Sequence, residues 1–289
     1  MSVSTNRALC AVGFLLATIV LGPHIAADDE VDPHKQAAQE RKNRYTKWMR
    51  EYAEGTKIVV TKRATGEQQV ELVANPVFRY SDEERFIPDA TLWVWTRSSR
   101  PVAFQKVEGN NHGGGQMWTI CFASLSENLL SVKWPVGREF QTRTPGVRFA
   151  PFSNSDAPAD KVRARTLQIK ALKDRFTGRL NVNAEGNGGA ETRFMVKPLF
   201  EYADPDTKLP LGAIFGMTST GTNPDLLLLI EARRDAEGKL RWEYAHARMT
   251  SASIRVRLDD VEVWSQPNMS PSSPGFENWL YYFMDRDFP

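Results

Sequence analysis

The sequence predicts an α+β fold: two tandem copies of a helix followed by a curled antiparallel sheet, packed with pseudo-twofold symmetry. Three observations carry that expectation. Residues 75–108 and 197–231 align with one inserted residue, so that Pro76/Pro198, Phe78/Phe200, Tyr80/Tyr202, Asp82/Asp204 and Glu108/Glu231 coincide. Internal repetition of this kind bears on the whole architecture and is weighed first. Each aligned segment follows a stretch of helical periodicity. Each then breaks into short apolar runs separated by Gly, Ser, Asn and Pro, the pattern of antiparallel hairpins.

The chain has 289 residues and opens with a leader-like segment. Arg7 precedes the apolar run Ala8–Gly22, and Ile25-Ala26-Ala27 supplies small residues for cleavage before Asp28. This is the arrangement of a signal peptide over residues 1–27. The run is shorter than the ~20 apolar residues a membrane span needs. No later segment reads as a span, so no stable membrane span is expected after cleavage. The expected location is periplasmic or extracellular.

The first copy is read over 28–148, with a helix over 33–54. Asp32 is its N-cap and Pro33 its first residue. Tyr45, Trp48, Met49 and Tyr52 share one face by their i, i+3, i+4, i+7 spacing. Strands follow at 57–62, 69–80, 91–96, 102–108 and 118–124. In Thr91–Thr96, alternation sends Trp93 and Trp95 to one face and Leu92 and Val94 to the other. Both faces are apolar, so one takes the helix and the other needs a second partner. The strand Val102–Val107 contains Gln105 and Lys106 and reads as more exposed.

The second copy is read over 149–265, with a helix over 158–177. Val162, Ile169, Leu172 and Phe176 form its stripe, and Gly178 closes it. Leu226–Ile230 reads as a strand buried on both faces. Residues 266–289 read as a linker and an aromatic arm. Ser273 and Pro274 open a short helix that places Phe276, Trp279, Leu280 and Phe283 at helical spacing. These four residues are candidates for contact with a partner through an apolar helix face.

Charge narrows the functional classes. The formal net charge is +2, and loss of Arg7 with the leader leaves +1. A chain so balanced shows no electrostatic footprint for nucleic acid. Cys121 is the one cysteine outside the leader, so no intramolecular disulfide is expected.

Chemistry-bearing motifs are sparse. His112-Gly113-Gly114-Gly115 matches an oxyanion-hole string, which works only beside a GxSxG nucleophile elbow. No GxSxG occurs, so the fragment reads as a hairpin loop. His34, His112 and His246 are isolated in sequence, and no HExxH or Cys/His cluster exists. No metal and no cofactor is implied. Cys121 reads as a small buried hydrophobe. Asp82 and Asp204 fit Asx turns. Glu108 and Glu231 end apolar strands and, if buried, need partners, with Arg79, Arg233 and Arg248 as candidates. Glu108, Glu231, Asp204 and His246 are the weak catalytic candidates, since an acid/base site needs carboxylates in perturbed surroundings. His246 is expected at the surface or in a polar network. The differences between the copies, including the loop Arg233–Arg241, are where a site is sought. Asn268-Met269-Ser270 fits the N-glycosylation acceptor pattern.

The segments FRYSDEERFIPDATLWVWTRSSRPVAFQKVE and KPLFEYADPDTKLPLGAIFGMTSTGTNPDLLLLIEARR, with WEYAHARMT, resemble an uncharacterised family of exported bacterial proteins of the kind common in planctomycetes. The resemblance implies export and the duplicated arrangement. It brings no activity, cofactor or catalytic residue. The reading favoured by the sequence is a non-catalytic binding or scaffold protein of the cell envelope or periplasm, whose partner is an envelope protein or a small ligand. A secreted hydrolase using carboxylates is the alternative. A lipid or small-ligand carrier lined by the Trp93/Trp95 face is the second.

Overall fold

Strand residues dominate the chain because its apolar runs are short, rich in aromatic and β-branched side chains, and closed by turn formers. A computed structural model describes residues 32–62, 66–111, 117–183, 187–206, 208–269 and 277–284. Helix α1 (Pro33–Gly55) is followed by β1 (Lys57–Lys62), β2 (Gly66–Gln69), β3 (Glu71–Leu72), β4 (Phe78–Asp82), β5 (Ile87–Arg97), β6 (Arg100–Asn110), β7 (Met117–Ser124), β8 (Leu129–Lys133) and β9 (Glu139–Gln141). Next come β10 (Ala150–Pro151), α2 (Val162–Lys173), β11 (Phe176–Leu180), β12 (Ala190–Glu191), β13 (Arg193–Phe194), β14 (Phe200–Asp204) and β15 (Leu209–Thr218). The chain closes with β16 (Leu226–Arg234), β17 (Leu240–Arg248), β18 (Ile254–Leu258), β19 (Val261–Gln266) and β20 (Trp279–Met284).

These strands form four antiparallel sheets. Two are four-stranded, ordered β2-β1-β8-β9 and β12-β11-β18-β19. Two are six-stranded, ordered β20-β7-β6-β5-β3 with β4 also on β5, and β10-β17-β16-β15-β13 with β14 also on β15. This overturns the expected α+β fold of two tandem helix-plus-sheet copies. Strand accounts for 49% of the described residues and helix for 16%, with two α-helices among them, so the fold is β-rich. The reason is sheet membership. β3 to β7 leave the sheet of β1 and β2, β8 returns to it, and β20 crosses from the chain end to pair with β7.

Glu40–Pro289 form one compact unit that holds every sheet. Its three large cores follow from strands with two apolar faces. Trp93 and Trp95 pack with Tyr45, Met49 and Trp134, under α1 and the β1/β8 sheet. Leu92, Val94 and Phe104 pack against Ile214, Leu227 and Leu229, so the two six-stranded sheets meet face to face. Phe215, Leu228 and Ile230 pack under α2 and the β11/β18 sheet. Asp32 caps α1, its Oδ1 accepting the His34 N–H at 2.9 Å.

Several local expectations are corrected. Helix α2 is shorter than 158–177: Phe176 and Gly178 belong to β11, where Gly178 faces Val256 across the ladder. A Cβ at Gly178 would lie 2.5 Å from Thr192 Oγ1, so this glycine permits a close strand approach rather than a helix cap. Val162, expected in the apolar stripe, is exposed. Gln105 and Lys106 are buried, so β6 is a central strand and not an exposed one.

The largest local correction concerns the tail. Trp279, Leu280 and Phe283 lie on strand β20, not on a helix, and pair with β7 from Trp279↔Ala123 to Met284↔Trp118. Six residues of dense aromatic content satisfy either period, and the open edge of β7 decides between them. Phe276, Ser273, Pro274, the leader and His112–Gln116 lie outside the described residues. Among the described residues no helix is long and apolar enough to cross a membrane.

Candidate functional site: a polar cleft between the two large sheets

Strand β6 sets the site. Alternation along Phe104, Lys106 and Glu108 turns these side chains toward the facing sheet, while Gln105 turns away and accepts the Trp134 indole N–H at 2.6 Å. Two rows then cross the sheet in register. One runs Leu92, Lys106, Cys121, Tyr281 and the other Ala90, Glu108, Thr119, Phe283. Apolar packing fills the interface around Phe104, and charge enters it at Lys106.

Lys106 is 2% exposed. Its Nζ donates to Asn223 Oδ1 at 2.6 Å and to the Met249 carbonyl at 2.8 Å, and lies 4.0 Å from Glu108 Oε1. Glu108 Oε1 accepts the Tyr80 hydroxyl at 2.6 Å and Asn223 Nδ2 at 3.3 Å. Burial beside the Glu108 charge holds the Tyr80 hydroxyl well above its usual pKa. The turn before β16 supplies Asp225, which is fully buried. It accepts Arg85 Nη1 at 2.6 Å, Arg85 Nη2 at 3.1 Å and the Ser219 N–H at 2.9 Å. Its backbone also ties Met217 to Met249, which fixes both walls.

Arg85, Lys106, Glu108, Asn223 and Asp225 line a cleft of about 250 Å³, together with Tyr281, Asn181 and the segment Met249–Ala252. Arg248 holds that segment in place. Its guanidinium donates to the carbonyls of Thr250, Ser251, Ala252 and Pro267 and lies over the Trp279 ring at 4.8 Å. Burial lowers its pKa to about 10. Asp82 lies at the rear of the network, with Arg85 Nε 3.3 Å from its Oδ2. Neither buried Asp82 oxygen has a hydrogen bond among the described residues.

The four catalytic candidates occupy separate environments. Glu108 alone lines the cleft. Glu231 accepts the Tyr202 hydroxyl at 2.7 Å and a two-point contact from Arg100 at 3.1 and 2.9 Å, with Arg233 at 3.4 Å. Glu127 bridges the two guanidiniums, which both lie over Phe149. Burial raises the Glu231 pKa against the opposing pull of Arg100. Of the expected arginine partners, Arg233 serves Glu231, Arg79 pairs with Asp89, and Arg248 binds carbonyls. Asp204 accepts the Asp206 N–H at 3.0 Å in an Asx turn, beside a different depression lined by Arg97, Arg100 and Glu127.

His246 is buried rather than at the surface. Its ring stacks on Trp264 at 5.4 Å and meets Phe176 and Tyr244 edge-on. Burial pushes its pKa down to about 3. The folded protein therefore keeps His246 neutral, while the unfolded chain takes up a proton below about 6.5. Its stabilising contribution is full above pH 6.5 and is lost as pH falls toward 3. At pH 5 the loss is about 2 kcal/mol, from roughly 1.4 kcal/mol per unit below the unfolded pKa. Urea unfolding at pH 7.5 and 5.0 should show a drop smaller by that amount in His246→Phe than in the parent. Equal drops would contradict the assignment.

Cys121 lies in the same row as Lys106 but is 1% exposed, and its Sγ accepts the Trp279 indole N–H at 3.1 Å. Burial pushes its thiol up to about 12, so it carries no thiolate at neutral pH. No group of three or more metal-ligating side chains occurs among the described residues.

Arg85, Lys106, Asn223 and Asp225 were not singled out from sequence. Asn223 falls in the turn-forming stretch between β15 and β16. The available signal was Lys106 itself, a lysine on the same face as Phe104 in an apolar strand. A more voluminous concavity lies elsewhere, an open groove of about 470 Å³ over Thr177, Arg179, Arg255 and Arg257. It exposes side chains that a small sheet presents to solvent, whereas the cleft is built from buried ones. Comparison with protein-family models, with curated proteins and with solved structures finds no match to this chain.

Proposed function

We propose that the protein is an exported, non-catalytic binding protein whose inter-sheet cleft receives a small polar ligand. One observation carries the reading. A lysine and a carboxylate, Lys106 and Glu108, stand buried where the apolar packing between the two sheets gives way to polar side chains, and line a cleft. Buried charge of this kind contributes little to stability compared with packed apolar side chains. A cleft with convergent polar groups is the usual form of a ligand site. Export is supported by the leader pattern of residues 1–27.

The arrangement favours binding over hydrolysis. Glu108 Oε1 and both Asp225 oxygens accept hydrogen bonds from fixed protein donors, which commits them to holding the cleft walls. Glu231 and His246, the other candidate acid and base, do not line the cleft. The carrier reading loses its motive, because Trp93 and Trp95 are packed against Tyr45, Met49 and Trp134.

The test is a thermal-shift screen of small polar metabolites against the wild type and the double variant Lys106→Met/Glu108→Gln. A ligand at 100 times its Kd should raise Tm by roughly 5–10 °C in the wild type. The double variant should show no such rise. A screen in which every shift is the same for both proteins would contradict the proposal.

A further inference from the structure

We propose that the ligand of this cleft is an uncharged carbohydrate, held by stacking at the Tyr281/Phe283 end and by hydrogen bonds to the paired charges. This rests on the binding reading above. The cleft lining carries two cations, Arg85 and Lys106, and two anions, Glu108 and Asp225. Each is already joined to an opposite or polar group of the protein: Arg85 to Asp225, Lys106 to Asn223, and Glu108 to Tyr80. A charged ligand would have to break one of these pairs in a buried setting, at high cost. A neutral polyol leaves them intact and uses the lone pairs and hydrogens that remain on the amide, hydroxyl and guanidinium groups.

The aromatic residues point the same way. Tyr281 lines the cleft, and its ring meets Phe283 edge-to-face at 5.1 Å. Phe283 occupies the register row of Thr119 and Glu108 yet is 47% exposed, while Trp279 and Leu280 on the same strand are buried. Phe86 follows the cleft residue Arg85 in sequence, is 54% exposed, and adopts a left-handed φ of 57°. A bulky residue is rarely held in that conformation. Tyr281 in the lining, with the exposed Phe283 ring against it, offers an aromatic face next to balanced polar groups, which matches the mixed apolar and hydroxyl faces of a sugar ring.

The experiment is a ¹⁵N-detected titration of the wild type, with glucose, galactose, N-acetylglucosamine and their β-linked disaccharides as neutral probes. Glycine, glutamate and inorganic phosphate serve as charged probes. At least one neutral sugar should shift Asn223, Asp225 and Ser251. Phe283→Ala should weaken that sugar about tenfold, and Phe283→Trp should retain it, with both variants melting like the parent. Two results overturn the proposal in distinguishable ways. Binding of a charged probe at the same residues, without any sugar, removes the carbohydrate assignment and keeps the binding reading. Shifts absent from the cleft with every probe, or confined to Arg179 and Arg257, remove both.

Discussion

Truncating the chain before Trp279 is expected to abolish cooperative unfolding. β20 is the outer strand of a six-stranded sheet, and its alternate side chains enter two cores. Leu280, Tyr282 and Met284 join the core beneath α1, while Trp279 joins the inter-sheet core. Tyr282 hydrogen-bonds the Tyr52 hydroxyl of α1, meets Trp134 edge-on at 5.5 Å and lies under Arg138 at 4.3 Å. Burying four such side chains contributes roughly 6–12 kcal/mol, at about 1.5–3 kcal/mol each. That is comparable with the roughly 5–15 kcal/mol that separates most folded domains from their unfolded chains. The single change Trp279→Ala should cost about 3–5 kcal/mol. Urea melts followed by tryptophan fluorescence and far-UV dichroism would show it. A truncated chain unfolding within about 1 kcal/mol of the parent would mean that β20 is an appendage after all.

The second large effect is expected at Lys106. Lys106→Met should destabilise the protein by about 3–5 kcal/mol, because it strips the counter-charge from Glu108 and a donor from Asn223 and the Met249 carbonyl in a buried setting. Adding Glu108→Gln should restore most of that loss. The glutamine oxygen still accepts the Tyr80 hydroxyl and the Asn223 amide, and no unpaired charge remains. The pair should therefore be strongly non-additive in a double-mutant cycle. Additive losses would show that Lys106 and Glu108 are not one unit. Near-wild-type stability in the double variant would mean that the charges are dispensable to folding, as the binding reading requires.

The strand-level pattern was readable where alternation ran long enough. The opposite faces of Trp93/Trp95 and Leu92/Val94 follow from period two, and both pack as that period demands. The buried run Leu226–Ile230 was readable from its length and composition. Sheet membership was not readable, because hydrophobic period says which face is buried and not which strand lies beside it. β8 rejoining β1 and β20 reaching β7 are choices made by tertiary packing. The tail misread as helix shows the same limit, since Trp279, Leu280 and Phe283 satisfy a helical and an alternating pattern equally over six residues. His246 and Lys106 were misplaced for a different reason. Polarity argues for exposure unless a partner is known, and their partners, the aromatic box and the pair Asn223 and Met249, are distant in sequence. Asn223 carried turn-forming character that hid its second role in the far wall of the cleft.

The central claim is that ligand binding occurs between the two large sheets. A crystal structure of the protein grown with the tightest ligand from the thermal-shift screen tests it most directly. The account predicts ligand density within hydrogen-bonding distance of Lys106, Asn223 or Asp225, with a ring against Tyr281 or Phe283. Ligand density in the open groove over Arg179 and Arg257, with the cleft residues arranged as in the free protein, would contradict it.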